Sequence, residues 1–169
     1  VTTNFWYGLT MIRRGYLERG VALIERALEK DPMLPNALRW RGIMYFYAGD
    51  TAKAEQLLNQ SRDLGLAYAE RNLADIANAR GDKSAAIRMF VNGSASVLPD
   101  MPAGSGVVLA EGIYGDSAAR SRALALLDDY LREPHEHVNG MVAVSLFLLD
   151  EPARALAVQH TRLSRDTND

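Results

Sequence analysis

The residues best equipped for chemistry lie together late in the chain: Glu133, His135, Glu136 and His137, around Pro134. Imidazoles and carboxylates this close are the donor set of a zinc site. His135-Glu136 also opens like the zinc-protease motif His-Glu-x-x-His, but the position of its second histidine is held by Asn139. Histidines on alternate residues face apart on a helix, so His135 and His137 could share a metal only from a loop. The cluster reads as a solvated turn between helices, and no metal site is expected.

Other arrangements are weaker still. Gly104-Ser105-Gly106 begins like a phosphate-cradling turn, yet Leu109 stands where the third glycine belongs and no strand precedes it. Carboxylates are plentiful, but none is paired on an apolar background as a catalytic acid and base would be. His160 is isolated and reads as a polar-face residue. The absence of cysteine removes disulfides and thiolate ligands. The expectation is therefore a protein with no catalytic residues and no cofactor.

Composition narrows the class further. The chain has 169 residues, 48% of them hydrophobic, with a formal net charge of −2. That balance calls for neither nucleic acid nor an anionic membrane. No apolar run reaches the ~20 residues that span a bilayer, so no membrane insertion is expected. The sequence starts at Val1 without a signal-like segment and reads as an excised or processed piece. The compartment stays open, cytoplasmic or periplasmic.

The carboxylates make sense as punctuation. Asp50, Asp82, Asp116 and Asp150 recur at intervals of 32, 34 and 34 residues, and Gly49, Gly81 and Gly115 precede the first three. Glycine ends a helix in the left-handed conformation, and aspartate accepts hydrogen bonds from the free amides of the next helix. Each Asp is expected to cap. A period near 34 residues built from helix pairs means stacked helical hairpins. The repeats fall at about 1–34, 35–66, 67–98, 101–134 and 135–169 of a single domain, an all-α solenoid of antiparallel helix pairs.

Within that frame, Phe5, Trp6, Tyr7, Leu9, Met11 and Ile12 make the first helix apolar nearly all round. Leu17, Val21, Ile24, Ala27 and Leu28 form the core stripe of the second. Ala37, Trp40, Met44 and Tyr47 form a stripe on the third, facing Ala54, Leu57 and Leu58. One of Phe46 and Tyr47 is expected in the core. Residues 92–106, with two prolines, three glycines and three serines, read as a loop or frayed helix end. Ala123, Leu124, Leu127 and Leu131 supply the later core face, and Ser164 to Asp169 a polar tail.

Leu38-x2-Arg41-Gly42-x2-Tyr45, Ala54-x3-Leu58, Ala86-x3-Phe90 and the trio Gly8, Ala27 and Pro32 together resemble the tetratricopeptide repeat family. The later repeats lack clear counterparts of Gly42 and Tyr45. The resemblance implies a right-handed superhelix whose concave face, lined by the first helix of each pair, binds peptides or extended protein segments. Carried over by position, that groove would hold Asn36, Arg39, Ile43, Phe46, Tyr47, Arg71, Asp75 and Asn78. Ile43 and Asp75 stand where a chaperone-terminus clamp needs an amide or a cation, so chaperone binding is not implied. Arg39 and Arg71 suit recognition of a carboxylate.

Two functional readings follow. The first is a protein–protein interaction scaffold with a peptide groove. The alternative is a regulatory or ligand-sensing domain of a larger signalling or transcriptional protein. Under either, the N-terminal edge, with Phe5, Trp6, Leu9 and Ile12, is expected to pack on a second copy of the chain or on a segment upstream, because one following hairpin cannot cover it.

Overall fold

Left-handed glycines and capping aspartates punctuate the chain, and the helices run between them. The computed structural model describes residues 2–94, 101–132 and 140–166. Ten helices occupy them, with no strand among the described residues: α1 (Thr2–Arg13), α2 (Leu17–Lys30), α3 (Pro35–Tyr47), α4 (Thr51–Asp63), α5 (Ala69–Ala79), α6 (Lys83–Ser94), α7 (Ser105–Tyr114), α8 (Ser117–Arg132), α9 (Gly140–Leu148) and α10 (Pro152–Asp166). The protein is all-α, built of adjacent helix pairs: α1 packs on α2, α3 on α4, α7 on α8 and α9 on α10. Contacts gather the residues into two compact units, Val1–Ile76 and Ala77–Asp169.

The Gly49-Asp50 turn shows how a hairpin is made. Gly49 takes φ +87° and its N–H donates to the Phe46 carbonyl, while the Asp50 N–H donates to that of Tyr45. The Asp50 carboxylate then accepts from the Lys53 N–H at 3.1 Å, capping α4. Gly81-Asp82 repeats every element of this, with Asp82 accepting from Ala85 at 2.9 Å. Asp116 caps α8 through the Ala119 N–H at 2.8 Å, but Gly115 before it has φ −91°. Glycine is needed there for clearance, because a Cβ would lie 2.3 Å from the Glu111 carbonyl oxygen.

Asp150 departs from the expected role. It carries φ +60°, and its N–H donates to Phe147 while that of Glu151 donates to Leu146, the pair of bonds made by Gly49 and Asp50. Asp150 therefore occupies the glycine's place and ends α9, leaving Glu151 at the start of α10. The preceding residue, Leu149, is committed to the core at 1% exposure. The left-handed turn falls one residue later, on a side chain that tolerates it better than most.

Within the first unit, Phe5, Leu9, Ile24, Ala27, Leu28, Ala37 and Leu38 form one core cluster, with Trp40, Met44 and Leu57 packed against it. The second unit buries Phe90, Leu109, Tyr114, Leu127, Val142 and Leu146, with Phe90 edge-on to Tyr114 at 5.9 Å. Close helix approach depends on small residues. A Cβ on Gly42 would meet Leu58 Cγ at 2.9 Å, and one on Gly112 would meet Ala123 Cβ at 2.3 Å. Gly112 is thus a packing counterpart of Gly42 in the fourth repeat, three residues before its turn instead of seven, which is why the period does not reveal it.

Several sequence expectations need adjusting. Tyr47 leaves the α3 stripe for solvent, and Leu17, at the first position of α2, is exposed. Of the stretch 92–106, residues to Ser94 belong to α6 and those from Ser105 to α7. Ser94 is buried, as is Ser105, whose hydroxyl donates to the Pro102 carbonyl at 2.7 Å. The tail from Ser164 reaches described backbone only to Asp166, inside α10.

Four substitutions test the turns. Asp82→Ala should cost about 0.5–2 kcal/mol and Asp82→Asn much less, read from denaturant midpoints. Asp150→Gly should instead stabilise by about 0.5–1 kcal/mol, by removing a side chain from the left-handed region. Asp116 is held below the usual carboxylate range, chiefly by the Ala119 N–H. Its contribution is complete above the unfolded-state value and is lost as pH falls through the folded-state one, so Asp116→Asn should blunt the acid destabilisation.

Candidate functional site

In the first unit α3 and the part of α5 up to Ile76 meet through side chains. The Arg39 Nε donates to Asn72 Oδ1 at 2.7 Å, and the Arg39 guanidinium carbon sits 4.4 Å from the Tyr68 ring centroid. Arg71 donates from Nη1 to the Tyr68 hydroxyl at 3.0 Å and lies 5.6 Å from the same ring. One tyrosine thus carries two guanidinium groups, an arrangement its negative ring face favours. Both arginines are nearly enclosed, Arg39 at 9% exposure and Arg71 at 7%. Burial lowers the Arg39 pKa to about 10; the Tyr68 phenol opposes that shift and neighbouring Arg71 adds to it. Arg39 remains a cation at neutral pH.

One turn further along α3 the surface becomes apolar. Ile43, Phe46, Tyr47 and Leu58 line a small notch of about 10 Å³ with Asn72 and Asp75 at its side. Ile43 and Phe46 are half-buried, while Tyr47 is 82% exposed and meets Phe46 edge-on at 5.7 Å. Asn36, one turn before Arg39, is half-buried. Seven of the eight expected groove residues therefore belong to α3 or to α5 within the first unit. Asn78, exposed, falls beyond that unit's last residue. Neither Phe46 nor Tyr47 is fully buried, because Trp40 and Met44 already fill the core side of α3.

Sequence reasoning missed Tyr68 and Asn72. Asn72 lies on α5 between Arg71 and Asp75, and Tyr68 sits in the turn just before the first residue of α5. The signal was the spacing 68, 71, 72, 75, which continues the stripe back into that turn. It also missed Tyr45, whose phenol is held below the usual tyrosine range by two neighbouring cations, Lys53 first and then Arg41. The Lys53 ammonium lies 4.8 Å from the Tyr45 ring, and the Arg41 Nε lies 3.0 Å from Glu25.

At the N-terminal edge the four named residues divide. Phe5 and Leu9 are buried in the first unit's core and Ile12 is half-buried against it, because α2 lies across that side of α1. Trp6 remains 54% exposed, beside Tyr7, which is also exposed. The Glu133–His137 cluster lies outside the described residues. Among the described residues no three His, Cys, Asp or Glu side chains group as metal ligands, and no helix is long and apolar enough to cross a membrane.

No family model matches the chain, and no curated protein matches it. Among solved structures it is similar to PilW, described as a widely conserved type IV pilus biogenesis factor, with a TM-score of 0.58 at 19% identity. The match covers 96% of this chain and 77% of that one. At that identity the likeness is one of fold. With the ten paired helices it fits a helical repeat of the tetratricopeptide-like kind.

Tyr45 offers a direct check on the electrostatics. In an alkaline absorbance titration one of the seven tyrosines should ionise ahead of the rest. Lys53→Met should move that step up toward the ordinary value near 10. Since the fold favours the phenolate, the contribution of this group to stability grows as pH rises through its folded-state pKa.

Proposed function

We propose that this chain is a non-catalytic interaction scaffold that holds an extended segment of a partner protein against α3 and α5. The observation that carries this reading is the exposed Tyr47 beside the Ile43–Phe46–Leu58 notch, bordered by polar groups from α5. An aromatic anchor next to an apolar recess with a polar rim is the usual composition of a binding hot spot. Asn36, Arg39, Ile43, Phe46, Tyr47, Arg71 and Asp75 are the proposed contacts, with Asn78 assigned by helix position alone. The helical-repeat fold favours the same class, since stacked helix pairs present long surfaces instead of a closed catalytic cavity.

The burial of Arg39 and Arg71 decides how to test it. Reversing either charge would leave a carboxylate among Tyr68, Trp40 and a remaining guanidinium, and would destabilise the fold as well as the groove. Tyr47 is the cleaner probe. Tyr47→Ala should weaken capture of peptides from an immobilised library at least tenfold while the melting temperature moves by no more than about 1–2 °C. Undiminished capture by that variant would place binding elsewhere.

The exposed pair Trp6 and Tyr7 supports a second contact surface, between two copies of the chain through α1. Sedimentation velocity should then show a concentration-dependent dimer that Trp6→Ser with Tyr7→Ser converts to monomer. A wild-type protein that stays monomeric across the whole concentration series would remove this surface from consideration.

A further inference from the structure

We infer that Arg39 receives an acidic side chain, Asp or Glu, of a segment passing along α3 and α5; the inference rests on the groove reading above. Arg39 is a cation at 9% exposure that no carboxylate among the described residues reaches. Its single hydrogen bond to them leaves from Nε, to Asn72 at 2.7 Å. Its two Nη groups find no acceptor there, yet neither is sealed from solvent without a partner. A second nearly buried cation, Arg71, shares the Tyr68 ring with it.

Enclosing a cation without an anion is costly, and placing another beside it raises the cost. An incoming carboxylate relieves both. Asn72 fixes the guanidinium from its Nε side and Tyr68 from one face, with Trp40 5.5 Å away. The two Nη groups are left as a fork, the geometry that takes a carboxylate through two parallel charge-assisted bonds. Arg71, donating to the Tyr68 hydroxyl, positions that ring; it is not assigned a ligand contact.

A side chain suits this place better than a chain terminus, because the α3 face continues on both sides of Arg39. Asn36 lies one turn before it and Ile43 one turn after, both half-buried. Four residues of helix rise about 6 Å, and two residues of extended peptide span about 6.6 Å. An acid bound at Arg39 therefore sets the residue two positions away over Ile43, Phe46 and Leu58, an apolar surface against which an apolar side chain packs without entering the small notch. The recognised pattern is an acidic and an apolar residue separated by one.

The test uses immobilised libraries of acetylated, amidated heptapeptides with random flanks around Glu-x-Leu and Leu-x-Glu, against the same libraries with Gln for Glu. Wild-type protein should be retained at least tenfold better on the Glu libraries, and Arg39→Gln should erase the difference. Because that variant is at risk of misfolding, the Nε–H resonance of Arg39 is followed in wild-type protein. It should move saturably with a Glu peptide selected from the library and stay in place with its Gln version. Equal retention of the Glu and Gln libraries, with both lost in Tyr47→Ala, overturns this inference and leaves the groove reading standing. Retention of neither overturns both. A further Gln library is left with a free C-terminal carboxyl; retention on it but not on the amidated Gln library, at the level of the Glu libraries, overturns the assignment of the acid to a side chain.

Discussion

The close approach of the two helices in a hairpin is the constraint on which the rest depends. At Gly42 there is no room for a methyl group between the α3 backbone and Leu58, and at Gly8 a Cβ would lie 2.8 Å from the Gly20 carbonyl oxygen. Helices this close share one narrow apolar seam, so each pair is thin. A thin pair cannot enclose its own hydrophobic residues, and neighbouring elements must cover what remains. In the first unit this draws α2 and α3 together over Ile24, Leu28 and Leu38. It also leaves the opposite side of α3 free to meet α5.

What α3 and α5 share there is polar and charged, which an economical core would avoid. Two arginines, a tyrosine and an asparagine occupy space that leucines could fill. A buried ion seldom adds to stability relative to a hydrophobic replacement of similar size. Such a cluster makes better sense as a surface prepared for a ligand than as glue between helices. The neighbouring notch, lined by Ile43, Phe46 and Leu58, gives the same surface apolar contact area. In the proposed groove, orientation and affinity would come from different groups on one helix.

The turns show how a repeat tolerates drift. Gly49 and Gly81 supply left-handed residues, while Gly115 is required by a neighbouring carbonyl and Asp150 does the glycine's work with φ +60°. The hydrogen bonds around Gly49 and Asp150 match although the residues do not. The backbone pattern is therefore retained more faithfully than the sequence that first signals it.

The sequence by itself determined the all-α class and the position of most turns. Those features are local: a cap reaches three residues, as from Asp82 to Ala85, and a core stripe repeats every turn. The face shared by the residues proposed for the groove on α3 and α5 was legible for the same reason, as positions on a helix. Their environment was not. That Tyr47 faces water while Trp40 faces the core depends on α1 and α2, which fill one side of α3. That Arg39 is a buried cation depends on Tyr68 and Asn72, about 30 residues away along the chain and in contact only after folding. Helix periodicity says which residues share a face, but only the tertiary packing decides which face is covered, because burial is a property of neighbours that the local sequence does not contain.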